Sequence, residues 1–185
     1  VFTRLEFKGR NIVFILYLST MMIPITVRLI PSYNLCRNLN MLDTYMGMIL
    51  PQVAWSIPFG TFLMRQFYMG IPKQLDEAAK IDGANHFQIF WKILLPNTKS
   101  SMATLGIYTF ISAWNNLIWM LLSVRSESKW TVTLGISSIC GASVIKQPTW
   151  NLIMGVIVIG MIPVLILFFA FQKYFMQSVA ATGIK

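Results

Sequence analysis

Glu77-Ala78-Ala79-Lys80-Ile81-Asp82-Gly83, with Ile93-Leu94-Leu95-Pro96 ten residues further on, is a polar, helix-forming run between two apolar stretches long enough to cross a bilayer. A loop of about thirty residues in that place is too long for a turn and too short for a domain. It is expected to dock onto something outside the membrane.

The flanking stretches belong to a set of four, at about 11–30, 44–64, 102–122 and 152–171. At a rise of ~1.5 Å per residue each reaches about 30 Å, the thickness of a hydrocarbon core. Each must be a helix, because lipid offers the backbone no hydrogen-bond partner and nothing here alternates with the period of a barrel strand. The expected fold class is all-α, a polytopic transmembrane helix bundle, over 1–185 with a cytoplasmic loop at about 70–100. Pro24, Pro51, Pro58 and Pro163 fall inside the stretches and are expected to kink them.

Composition agrees with a lipid solvent. Of 185 residues 56% are hydrophobic and 11% charged, and mean hydropathy is +0.63, against roughly 25% charge in soluble domains. The net charge of +9 is scattered between the apolar stretches and forms no basic stripe interleaved with aromatics, so nucleic acid is not an expected partner. Topology accounts for it instead. Arg4, Lys8, Arg10, Arg65, Lys73, Lys80, Lys92, Lys99, Lys173 and Lys185 fall on one side, and only Arg28, Arg37, Arg125, Lys129 and Lys146 on the other. The richer side, with the loop and the C-terminus, is expected to be cytoplasmic. Val1 to Arg10 is polar and basic, with neither initiator Met nor secretory segment, and reads as a loop following an earlier span of a longer protein.

Within the loop, Pro72 suits a first helical position, and Asp76 and Glu77 put negative charge in the early turns, where the helix dipole favours it. Gly83 ends that helix. Asn85 and Gln88 then form a capping-box pattern for a second one, whose Phe87, Phe90, Trp91 and Leu94 follow the i, i+3, i+4, i+7 rule. That apolar face is expected to lie against the ends of the spans, leaving Ala78, Ala79 and Gly83 free for close approach by a partner. An interfacial helix resting on lipid headgroups fits the same pattern.

Signs of catalysis are missing. There is no G-x-x-x-x-G-K-[ST] phosphate loop, and His86, the one histidine, has no nucleophile or orienting group in a recognisable arrangement. No cofactor, metal or enzymatic activity is expected. Cys36 and Cys140 lack C-x-x-C spacing and fall on one predicted side, which leaves a disulfide between them open. Gln52, Ser56, Asn115 and Asn116, near Trp55, Trp114 and Trp119, suit a path for a neutral carbohydrate, since amides and hydroxyls bond sugar hydroxyls and indoles cover apolar sugar faces. The same residues equally suit hydrogen bonds between helices and interfacial tryptophans.

Glu77-Ala78-Ala79, then Gly83, then Ile93-x-Leu95-Pro96 resembles the EAA loop of the membrane subunits of binding-protein-dependent ATP-binding-cassette importers. Phe7-Lys8-Gly9-Arg10, Asp43-Thr44-Tyr45, Phe87-Gln88-Ile89-Phe90-Trp91, Ala113-Trp114-Asn115-Asn116 and Phe171-Gln172-Lys173-Tyr174-Phe175 are similar to the carbohydrate permeases of that group, the maltose type in particular. The resemblance implies a type I importer transmembrane domain of six spans, of which two would be missing here, in a bacterial plasma membrane. Its implied partners are a second permease subunit, a dimer of cytoplasmic ATP-binding subunits, an extracellular solute-binding protein and a sugar. Glu77, Ala78, Ala79, Asp82, Gly83, Ile93, Leu95 and Pro96 then belong to the ATPase-coupling loop, while Lys80 and Ile81 occupy variable places.

Importers of glycerol phosphate, peptides or amino acids share this pattern. Arg28 could serve an anion, but it stands at the outer end of its stretch, where snorkelling accounts for it. An ion-coupled secondary transporter fits less well, since Glu6, Asp43, Asp76, Glu77, Asp82 and Glu127 all lie in loops or at stretch ends.

Overall fold

The computed structural model describes residues 2–146 and 150–183, with side chains described except over 142–146 and 173–183. Val1, Lys185 and the side chains of Lys146, Lys173, Tyr174 and Phe175 therefore lie outside the described residues. The regular structure of the described residues is all helical. In order it forms α1 (Arg10–Ser19), α2 (Ile25–Asn38), α3 (Tyr45–Met69), α4 (Gln74–Ile81), α5 (His86–Ile89), α6 (Leu95–Asn97), α7 (Lys99–Trp114), α8 (Leu117–Ser123), α9 (Val132–Lys146) and α10 (Trp150–Gly183). Among the described residues, α3 and Trp150–Gln172 of α10 are each long and apolar enough to cross a membrane, and the bent pairs α1–α2 and α7–α8 each qualify as one broken span.

Two of the expected stretches are thus interrupted. The first stops in a 3-10 turn at Thr20–Met22, and α2 restarts after Pro24, whose ψ of 142° is extended. Proline has no N–H to give and pushes the residue before it out of the helical region. Ser19 and Thr20 also turn their hydroxyls back onto the Leu16 and Tyr17 carbonyls, each at 2.7 Å. The third stretch bends by 54° between α7 and α8, where Asn116 becomes the N-cap of α8 and accepts from the Trp119 N–H at 3.3 Å. Pro163, by contrast, stays inside α10.

One helix was not expected from the sequence. α9 carries an apolar run, Val132–Gly141, too short to span a bilayer, and Thr131 caps it by accepting the Leu134 N–H at 3.3 Å.

The chain gathers into two units, one from residues 2–22, 57–107 and 171–183, the other from 23–56, 108–146 and 150–170. In the second unit, Trp119 is fully buried among Leu29, Cys36, Met48, Met120, Val124 and Leu134. Its indole N–H donates to the Gly47 carbonyl at 3.0 Å, and its ring meets Trp55 edge-on at 5.2 Å. Cys36 and Cys140 are both free thiols.

Asp43 pins two loops of this unit together. It takes a left-handed φ of 56°, which Asp tolerates better than most residues. Its carboxylate accepts from the Arg125 and Ser126 N–H groups at 3.0 Å and from the Ser126 hydroxyl, and it pairs with the Lys129 ammonium at 3.5 Å. These bonds, that of the Ser126 hydroxyl first, hold the carboxyl well below its ordinary 3.8. A folded pKa below the unfolded one means that the stabilisation is complete above about pH 4 and is lost as pH falls from there toward the folded value. Thermal unfolding in detergent should therefore show an acid-sensitive component below about pH 4 that Asp43→Asn lacks. Superimposable acid profiles for the two proteins would exclude Asp43 as its source.

Candidate functional site

The loop between α3 and α7 is built within the first unit. Pro72 falls one residue before the Lys73 cap of α4, just outside the helix, while Asp76 and Glu77 occupy its first turn. At Gly83 the backbone turns through φ 81°, and the Ala84 N–H reaches back to the Ala79 carbonyl at 2.9 Å. Asn85 then caps α5 in the expected reciprocal manner: Gln88 N–H donates to Asn85 Oδ1 at 2.8 Å and Asn85 N–H to Gln88 Oε1 at 2.9 Å. After α5 the helix widens into a π turn at Phe90–Leu94, where the Leu95 N–H bonds to the Phe90 carbonyl. Pro96, next in line, has no N–H to offer the turn behind it.

That π turn corrects the expected facing of the loop. Ala79, Ile89 and Leu94 are its buried apolar residues, packed with Tyr68, Ile71, Ala84 and Ile93. Phe87 and Trp91 stand outward, 72% and 52% exposed, with their rings 6.0 Å apart, and Ile81 is 87% exposed. The i, i+3, i+4, i+7 rule presumes an unbroken α-helix, and the extra residue in the turn brings Ile89 and Leu94, five apart, onto one face. Ala79 is therefore not a free surface. Glu77, Ala78, Asp82, Gly83 and Pro96 are exposed, Ile93 and Leu95 half-buried, and His86 exposed beside Phe87.

A cavity of 650 Å³ lies in the second unit, within the ~300–1,000 Å³ usual for small-molecule sites. Gln52, Ser56, Thr109, Phe110, Trp114 and Trp130 line it, with Thr131 and Thr133, and among the described residues no charged side chain takes part. Trp114 is fixed by its indole N–H on the Gly160 carbonyl at 3.2 Å and by stacking on Phe110 at 5.5 Å. Asn116 does not line the cavity but donates to Gln52 Oε1 at 2.8 Å, which orients that amide. Asn115 is exposed and outside the lining, and Trp55 and Trp119 belong to the core. Trp130, Thr131 and Thr133 were not singled out in the sequence; the signal for them was Thr131 as a cap just ahead of the apolar Val132 run. Arg28 does not line the cavity either, and its guanidinium sits 5.7 Å from the Trp55 ring centre.

Residues 3–181 match the family described as binding-protein-dependent transport system inner membrane component. The chain is 34% identical over 180 residues to the arabinooligosaccharides transport system permease protein AraQ of Bacillus subtilis, covering 97% of this chain and 62% of that one. It is 39% identical over 174 residues to the sn-glycerol-3-phosphate transport system permease protein UgpE of Yersinia enterocolitica, covering 94% of this chain and 60% of that one. A probable ABC transporter permease protein of Bacillus subtilis, YurM, is 33% identical over 183 residues, 99% of this chain and 60% of that one. The chain thus spans about three fifths of the length of the curated relatives it matches.

Proposed function

The chain belongs to the family of binding-protein-dependent transport system inner membrane components, and from that premise we propose that it is the permease subunit of an ATP-binding-cassette sugar importer. It forms half of the translocation path, and a second permease subunit forms the other half. A dimer of cytoplasmic ATP-binding subunits grips the α4–α6 loop, and an extracellular solute-binding protein delivers the sugar. The bilayer is its solvent.

The observation that carries the coupling role is the build of the loop. α4 ends in the Gly83 turn and α5 opens on a reciprocal cap, and the two helices share the buried Ala79, Ile89 and Leu94 and present Glu77, Ala78, Asp82 and Gly83 outward. A part built so firmly moves as one body. When the ATPases close, the loop moves with them and shifts the helices it joins from one arrangement to another.

The relatives' names point to two kinds of solute, an arabinooligosaccharide and a glycerol phosphate. The uncharged cavity favours the sugar. A phosphate entering it would give up hydration with no cation among the described residues to receive it, whereas sugar hydroxyls can exchange water for the Gln52 amide and the Ser56 and threonine hydroxyls. Trp114 and Trp130 offer aromatic surface to the apolar faces of the rings.

Uptake by the full-length chain assembled with its partners tests both parts. Sugar uptake is expected to require ATP and to outcompete sn-glycerol 3-phosphate. Gln52→Leu should raise the KM for sugar by about 2–10-fold, the equivalent of one hydrogen bond, while Asn115→Ala changes nothing. Preferential uptake of the glycerol phosphate would reverse the choice of solute.

A further inference from the structure

Arg4 lies ahead of α1, in a segment whose sequence looks like a plain basic loop, yet its side chain is only 12% exposed. One guanidinium nitrogen, Nη2, donates to the Tyr68 carbonyl at 3.0 Å and to the Ile71 carbonyl at 2.7 Å, where α3 ends. The other, Nη1, stands 3.2 Å from Oδ2 of Asp76, a residue 8% exposed in the first turn of α4. Each charge suits the helix end beside it, the cation at the C-terminus of α3 and the anion at the N-terminus of α4.

Stability alone does not explain this pair. Arg4 Nε and Asp76 Oδ1 are buried without a hydrogen-bond partner, and an ion pair that leaves atoms unsatisfied recovers its desolvation cost poorly. What the pair does secure is relative position, because one planar, forked side chain fixes three backbone segments at once. The segment before α1 is in turn tied to α1 and α3. Phe2 packs on the buried Phe14 with ring centres 5.4 Å apart, Arg65 places its guanidinium 4.3 Å from the Phe14 ring centre, and Arg65 Nε donates to the Phe2 carbonyl at 3.5 Å.

We propose that Arg4 is a positioning residue of the coupling machinery: it locks α4 to the segment ahead of α1, so that force applied to the loop drives α1 as well as α3. This rests on the importer reading, with the loop as the point where the ATPases grip. The bonds of the strut run to Tyr68, Ile71 and Asp76 inside this chain and not to Glu77, Ala78, Asp82 or Gly83, although Lys80, His86 and Phe87 of the loop line the same pocket as Arg4 and Asp76. The strut's removal therefore leaves docking intact and loosens only the transmission.

The test compares Arg4→Met, Arg4→Lys and Asp76→Asn in the full-length chain, reconstituted with its ATP-binding subunits, second permease and binding protein. Solute uptake and ATP hydrolysis are measured together. Arg4→Met and Asp76→Asn are expected to assemble and hydrolyse ATP while solute moved per ATP falls by about fivefold or more, the lower end of ordinary coupling energies. Arg4→Lys, which keeps the charge but not the fork, should fall between them and the wild type. An unchanged ratio in both Arg4→Met and Asp76→Asn overturns the proposal. So does a parallel loss of uptake, hydrolysis and assembly in all three variants, which would make the pair a folding element only. Absence of ATP-driven uptake in the wild-type complex is a separate result that removes the importer reading, and the strut's role with it.

Discussion

Gly83→Trp is expected to abolish ATP-driven uptake while leaving the chain inserted in the membrane at its normal level. Gly83 turns α4 into α5 at φ 81°, a conformation that costs a side-chain-bearing residue about 1–2 kcal/mol. Among the described residues no heavy atom beyond Gly83 and its two chain neighbours lies within 4 Å of where a Cβ would stand, so there is room for a substituent. Backbone strain and surface bulk can therefore be separated. Gly83→Asn, which tolerates the left-handed region, should transport nearly as well as wild type, and Gly83→Ala should show the strain alone. Trp adds bulk on the face that also carries Ala78 and Asp82, and any loss beyond that of Ala measures the closeness of a partner there. Equal transport by the Trp and Ala variants would mean that nothing seats on that face.

In the other unit the largest expected effect is on stability. Trp119→Ala empties a fully buried site at the centre of its apolar cluster, a change that costs about 3–5 kcal/mol in well-packed cores. For a chain of this size that corresponds to a drop in Tm of roughly 6–20 °C, to be read by thermal unfolding in detergent. Trp119→Phe keeps most of the volume but leaves the Gly47 carbonyl without its indole partner, a loss of about 1–3 kcal/mol. Gly47 is bound to the same arrangement, because a Cβ there would overlap the Met41 carbonyl oxygen. Gly47→Ala should accordingly destabilise the protein although it adds a single methyl group. If Trp119→Ala melts with the wild type, the cluster does not hold this unit together.

Much of the loop was legible in the sequence because its signals are local. The Asn85–Gln88 capping box and the glycine turn at Gly83 depend on residues within three or four positions of one another, and both stand where the spacing placed them. The facing of α5 was not legible in this way. A periodic rule assumes constant phase, and the π turn before Pro96 shifts that phase by one residue, which brings Leu94 onto the Ile89 side over Ala79 and away from Phe87 and Trp91, which stand outward together. The interruption at Pro24 is a matter of degree: the sequence predicts a kink at a proline, and whether the helix stops or runs on, as it does through Pro163, depends on what else satisfies the freed backbone groups.

The candidate cavity divides along the same line. Gln52 and Ser56 could be chosen from sequence because a polar residue in an apolar stretch needs a reason to be there. That Asn116 serves to cap α8 and orient Gln52, that Asn115 stands aside, and that Trp130 and Thr133 join the lining depends on contacts between residues far apart in the chain.

By itself, then, the sequence determined that this is an all-helical membrane chain with a capped two-helix loop, and to which family it belongs, since hydropathy, caps and motif spacing are properties of neighbouring residues. Only the tertiary structure decided which face of the loop is outward, where Trp119, Asp43 and Arg4 tie distant segments together, and which polar groups meet around a cavity. The loop's facing rests on a π turn that breaks the periodic pattern, and the ties and polar meetings rest on side chains brought close from 64 to 86 positions away, an orientation that no local pattern carries.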